Sequence, residues 1–206
     1  DVVTESTQTV NIPTFLKTKW AAENNASFDN WRVPAAEKYR KDGVGAPADY
    51  IIKWLSAWVE EFGIDGFRCD TAKHVDMHRW AQLKNEANQA LSAWRNSSRA
   101  TGKAKEWKDS FWMTGEDFGH GLNLGSGYYS NGFDSMINFT FNGTSGGTGR
   151  TPSTSDWASY ANAVSGTTKS PLSYVSSHDT GLHRPHDMKH LGTMLILLPG
   201  GVQVYY

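Results

Sequence analysis

The sequence predicts an α/β fold with parallel strands, on three observations. Helical and strand-like segments alternate from residue 47 onward. The strand-like segments are short and lie between helical ones, and charge gathers at their C-terminal ends.

Residues 1–46 carry weak periodicity with scattered Asn, Pro and Thr, and read as a connecting region. A helix starts at Pro47. Ile51, Leu55, Trp58 and Phe62, flanked by Ile52 and Val59, repeat at helical spacing, and Gly63 stands where a C-terminal glycine cap belongs. The strand "IDGFRCD", placed over 64–70, follows at once. Asp76 can cap the next helix, which runs to about Trp94 with Met77, Trp80, Leu83, Ala87, Leu91 and Trp94 on its apolar side. Strands are then expected over 111–116 ("FWMTGE") and 135–139 ("SMINF"). After a Gly/Ser/Thr-rich loop over 143–155, Asp156 is expected to cap a helix carrying Trp157, Tyr160 and Val164. A strand over 173–178, a helix over 187–198 and a strand over 202–206 complete the pattern.

Composition narrows the partners. Twenty basic residues against 21 acidic, spread along 206 positions for a net charge of −1, leave no electrostatic footprint for nucleic acid or an anionic membrane. The 38% hydrophobic content is enough for a sizeable core. Nine Trp, eight Tyr and nine Phe supply mainly core, with some rings available to pack on sugar C–H faces. Cys69 is the single cysteine, so no internal disulfide forms. No signal peptide is read at the start, and the longest apolar run, Met194 to Pro199, is too short to span a membrane. Asn25, Asn96, Asn138 and Asn142 head glycosylation triplets, which matter only in a eukaryotic secreted protein.

The strand ends carry the chemistry: Arg68 and Asp70, then Glu116 and Asp117, then His178 and Asp179. In parallel α/β architectures the loops after the strands build the active site. If Asp70, Glu116 and Asp179 meet in one mouth, mutual repulsion keeps one of the three protonated near neutral pH, while Arg68 favours a charged Asp70. One ionised and one protonated carboxyl group are the tools of glycoside hydrolysis; retention of configuration needs them roughly 5–5.5 Å apart.

These motifs, "GFRCDTAKH", "GED" and "SSHDT", resemble in order and spacing the fourth-, fifth- and seventh-strand motifs of the α-amylase family of retaining glycoside hydrolases, in particular its bacterial periplasmic members. The resemblance implies a (β/α)8 TIM-type barrel of which about strands 4 to 8 are present, with 1–206 belonging to one catalytic domain: 1–46 connecting, 47–206 carrying strands and helices. It implies Asp70 as nucleophile, Glu116 as acid/base and Asp179 as the third carboxylate, with Arg68, Lys73, His74 and His178 binding substrate. It also implies structural calcium, held by the backbone carbonyl of His74 and by Asp1. The implied substrate is a starch-like α-1,4-glucan or maltooligosaccharide, attacked in endo fashion by a periplasmic or secreted monomer in carbohydrate metabolism. The third-strand motif of the family, with its own sugar and calcium ligands, has no counterpart here. Ser177 stands where many members have Asn, and Cys69 where a small aliphatic is usual.

Other readings compete. A transglycosylase or an α-1,6-glucosidase uses the same carboxylates, and a catalytically silent glucan-binding relative keeps the barrel without turnover. An Arg68–Asp70 pair can also be a purely structural ion pair, Glu116 a helix-capping acid, and His178–Asp179 an Asx-turn and its neighbour. His183, His186 and His190, with His74 and His78, can be drawn as a zinc site, but "HVDMH" lacks the glutamate of a zinc protease motif and Pro185 breaks the helical register. The Gly-rich run over 143–150 lacks the Lys-Ser/Thr pair of a phosphate loop. Tyr128, Tyr129 and Trp112 are candidate sugar platforms or core.

Overall fold

A computed structural model describes residues 10–11, 44–45, 47–121, 127–139, 154–165, 170–174, 176–179, 196–197 and 199–204. The chain divides into two compact units, residues 1–66 with 75–111, and residues 67–74 with 112–206.

In the first unit, β1 (Val10–Asn11) pairs antiparallel with β2 (Val44–Gly45), a short ladder inside the segment expected to be merely connecting. Two helices dominate, α1 (Pro47–Phe62) and α2 (Met77–Asn96), packed against each other. The buried side of α1 is Ala48, Tyr50, Ile52, Ser56, Ala57 and Val59, while Ile51, Trp58 and Phe62 are exposed. The apolar face is therefore turned from the one that spacing suggested. Apolar residues occupy both Ile51 and Ile52, and both Trp58 and Val59, so the pattern spans too wide an arc to select one side. α2 follows expectation, burying Leu83, Ala87, Ala90 and Leu91. Asp76 holds its N-cap position, although its carboxylate makes no capping hydrogen bond.

Gly63 ends α1 with φ +67°, and its N–H donates to the Val59 carbonyl (2.8 Å). A Cβ there would lie 2.4 Å from the Trp94 indole of α2, so glycine is required both by the left-handed turn and by the approach of the second helix. Ion pairs tie the same helices: Arg79 to Asp49 (2.7 Å) and Arg99 to Glu61 (2.7 Å). After α3 (Lys103–Glu106), the backbone of Phe111 is pinned by α2, since Asn88 Oδ1 accepts its N–H and Lys84 donates to its carbonyl.

The second unit holds the sheet. Strands β3 (Gly66–Cys69), β4 (Trp112–Gly115), β5 (Ser135–Asn138), β6 (Ser170–Tyr174) and β7 (Gly201–Gln203) lie in that spatial order. They run parallel, as in one side of a (β/α)8 barrel. β5 is buried along its whole length, the mark of a parallel strand covered on both faces. Its Ile137 joins Phe139 and Tyr174 in a core on which Leu172 packs, with Phe139 and Tyr174 edge to face at 5.6 Å. Between β4 and β5, Met113 N–H donates to Asp134 Oδ2 (2.7 Å) and Asp134 N–H to the Met113 carbonyl (2.9 Å), which fixes how far each strand extends.

Two strand boundaries move. β6 ends at Tyr174, four residues before His178, because its ladder is set by its partners: Ser135–Asn138 opposite Ser170–Ser173, and Leu172–Tyr174 opposite Gly201–Gln203. The final strand accordingly starts at Gly201. The helix α5 (Thr154–Val164) begins two residues before Asp156, which is its third residue and not its cap. A short α4 (Gly127–Ser130) precedes β5. The helix expected over 187–198 falls outside the described residues except at 196–197. Among the described residues, no helix is long and apolar enough to cross a membrane.

Candidate active site

Parallel strands put all their C-terminal ends on one edge, and the polar residues singled out in sequence lie there or just beyond. The ends of β3 and β4 are joined directly. Glu116 N–H donates to the Cys69 carbonyl (2.9 Å), Ala72 N–H to the Glu116 carbonyl (2.7 Å), and Thr71 N–H to Glu116 Oε2 (2.9 Å). Glu116 is thus 3% exposed, with both its backbone and its carboxylate held by the turn that follows β3.

That turn is unusual. Thr71 has φ +45°, the one described residue other than glycine in the left-handed region. A β-branched residue resists this conformation, and strain of this kind collects where a backbone group must point in a set direction. Here it points the Thr71 N–H at the Glu116 carboxylate. Gly115 plays a complementary part before Glu116, for a Cβ on it would sit 2.7 Å from both Met136 Sδ and the Phe133 ring. Only glycine lets β4 lie this close to its neighbours.

Asp70, one residue before Thr71, faces solvent with 67% of its side chain exposed and accepts a hydrogen bond from Arg68. Cys69 between them points inward. Burial pushes its thiol up from 9.0 to about 12, with the Arg68 charge pulling weakly the other way. The 3₁₀ turn Ala72–His74 carries Lys73 and His74 outward.

Asp117, next to Glu116, is 4% exposed. Its Oδ2 accepts from the buried Tyr128 hydroxyl (2.7 Å), and its Oδ1 faces Lys73 Nζ at 3.6 Å and His120 Nε2 at 3.4 Å. Tyr128 is therefore a buried anchor and not a sugar platform; burial first, then its bond to Asp117 and that group's charge, push its phenol upward. Trp112 is exposed, but on the strand itself.

His178 and Asp179 follow β6, two strands along from β4. They share a 2.9 Å contact between Nε2 and Oδ2, and Asp179 N–H donates to Ser177 Oγ (3.3 Å). Ser176 and Ser177 before them are buried, and Ser177 makes an isolated β-bridge, so this segment is seated beyond the end of β6. The structure thus joins the turn after Asp70 to Glu116 by direct bonds and sets His178–Asp179 beyond the same edge. Asp117, His120 and Thr71 received no role from sequence reasoning; a histidine three residues after a strand-end aspartate in "EDFGH" was the available signal.

Asp1 and the histidines at 183, 186 and 190 lie outside the described residues. Among those described, no three His, Cys, Asp or Glu side chains gather into a metal-binding group.

A five-stranded parallel sheet with carboxylates at its C-terminal edge defines a barrel-type α/β domain. The model of the alpha-amylase family, described as "Alpha amylase, catalytic domain", matches residues 18–205, and the chain belongs to this family. It is 41% identical over its whole length to the periplasmic alpha-amylase of Escherichia coli (strain K12), of which it spans 28%. It is 34% identical over 59% of its length to an alpha-amylase of Streptomyces lividans, of which that match spans 12%. Among solved structures, the alpha-amylase of Geobacillus thermoleovorans in complex with acarbose superposes with a TM-score of 0.54 at 16% identity, covering 99% of this chain and 43% of that one. AmyP in complex with maltose superposes with a TM-score of 0.51 at 16% identity, covering 80% and 39%. At these identities the superpositions show the fold alone.

Proposed function

We propose that the protein hydrolyses α-1,4-glucosidic bonds of starch-like glucans and maltooligosaccharides, endo-acting and with retention, Asp70 being the nucleophile and Glu116 the acid/base. The observation that carries this reading is the β3–β4 rim, where a strained turn places Asp70 beside the residue whose N–H holds the Glu116 carboxylate.

In the first step Asp70 attacks the anomeric carbon while Glu116 gives its proton to the departing glycosidic oxygen, leaving a glycosyl ester on Asp70. Water then enters, Glu116 takes its proton, and the ester bond breaks with a second inversion. Arg68 keeps Asp70 oriented, and Asp179 with His178 hydrogen-bonds the hydroxyls of the distorted ring as positive charge grows on it. Lys73 and His74 bind the sugar on the leaving side. Structural calcium belongs to the proposal through the His74 carbonyl and Asp1, and no catalytic step runs through it. Acarbose and maltose bound to the structural relatives agree with a glucan ligand, and the periplasmic relative with a periplasmic or secreted enzyme; a monomer whose catalytic domain includes residues 1–206 completes the proposal.

The test is hydrolysis of soluble starch by the intact protein carrying Asp70→Asn or Glu116→Gln. Each variant should stay folded and lose nearly all release of reducing ends. Substantial activity in either would remove the assignment. Products formed with an added sugar acceptor separate hydrolysis from transglycosylation, and maltooligosaccharide binding without turnover would mark a silent glucan-binding relative.

A further inference from the structure

We propose that Asp117 is a positioning residue that holds Lys73 and His120 as a paired polar site beside Glu116, and that His120 contacts a glucan hydroxyl on the leaving-group side. The inference rests on the glucan-binding reading above.

Asp117 is almost fully buried, yet its Oδ1 makes no hydrogen bond. A buried carboxylate oxygen in that state is costly unless charge or a donor lies near it. Two groups do: Lys73 Nζ at 3.6 Å and His120 Nε2 at 3.4 Å. The other oxygen is fixed by Tyr128, whose ring is itself held edge-on to Phe133 at 5.8 Å, so the carboxylate cannot turn to follow solvent. His120 is tied at its backbone as well, for its carbonyl accepts from Phe139 N–H (3.1 Å) and its N–H donates to the Asp117 carbonyl (3.0 Å).

Both side chains keep capacity for a ligand. The ammonium of Lys73 has three donors, of which the Asp117 and Phe118 carbonyl contacts use two. The His120 imidazole faces the Asp117 carboxylate through Nε2, which leaves Nδ1 of the neutral ring to accept from a sugar hydroxyl, and its side chain is 56% exposed. Vicinal sugar hydroxyls are recognised by such pairs of fixed polar groups. A single buried anion thus orders two long or rotatable side chains before substrate arrives, which lowers the ordering cost of binding.

Binding of maltoheptaose to the intact protein by isothermal titration, in a Glu116→Gln background so that no turnover intervenes, tests this. Asp117→Asn and His120→Ala should each weaken binding about tenfold, and the double variant should be little weaker than either single one, because both disturb one device. With Glu116 restored, Asp117→Asn should raise KM more than it lowers kcat. His120 is exposed, so its variant reports even if Asp117→Asn folds poorly. Dissociation constants within twofold of the parent for His120→Ala, or fully multiplicative effects in the double variant, would overturn the proposal. A parent that binds maltoheptaose but does not cleave it would instead remove the hydrolytic reading, and the binding comparison would still decide the role of Asp117.

Discussion

Strands β3 and β4 both end in a carboxylate, yet the two ends are built in opposite ways. Asp70 stands in solvent, paired with Arg68 two residues away, whereas Glu116 is buried and held through main-chain bonds to three positions of one short segment, Cys69, Thr71 and Ala72. The difference suits the division of labour proposed for them. A nucleophile must reach a carbon atom of the substrate, so it is set out from the rim. An acid that serves two steps must return to one place, and backbone donors cannot change rotamer.

The largest expected effect shows where the two ends should agree. Asp70→Asn and Glu116→Gln should each lower kcat by about 10³-fold or more, the upper range for losing a positioned acid or nucleophile, measured as reducing-end release. On stability they should part. Glu116→Ala removes the acceptor of the part-buried Thr71 N–H bond and should cost about 1–3 kcal/mol in urea unfolding of the intact protein. Asp70→Ala should stay within about 0.5 kcal/mol, since an exposed pair contributes little. Equal losses would erase the contrast between the two ends.

Cys69 lies between them and titrates with a definite sign. Its folded-state pKa, about 12, is above the ordinary 9.0, so above pH 9 the unfolded chain loses a proton that the folded chain keeps. Its contribution is complete below pH 9 and declines as pH rises toward 12. Between pH 9 and 10.5 the parent should lose about 2 kcal/mol more than Cys69→Ala does, read from paired unfolding curves. A parallel decline would mean that the thiol ionises freely and the rim is open at Cys69. The smallest effect is expected at Thr71. Thr71→Gly relieves the left-handed strain but frees the unfolded chain, so stability should change by less than about 1 kcal/mol while kcat falls. An unchanged kcat would show that the turn need not be pre-set.

Much of this arrangement could be read from sequence, because periodicity and strand-end charge are local signals. The alternation of elements, the buried side of α2 and the placement of Asp70, Glu116 and Asp179 after three different strands all follow from them. What could not be read depends on neighbours distant in sequence. The wide apolar arc of α1 left its inward side open until α2 chose Ile52 and Val59 over Ile51 and Trp58. The end of β6 was decided by the lengths of β5 and β7, not by its own residues. The left-handed Thr71 leaves no mark in a sequence that has no glycine there, and the Asp117–Tyr128 bond joins residues 11 apart that no periodicity links.

The central claim is that the exposed end of β3 carries the nucleophile. Incubating the intact protein with 5-fluoro-α-glucosyl fluoride, followed by proteolysis and mass spectrometry, tests it most directly. The account predicts a glycosyl ester on Asp70 within the peptide containing "GFRCDTAK", absent from Asp70→Asn. A label on Glu116, Asp117 or Asp179 would contradict it.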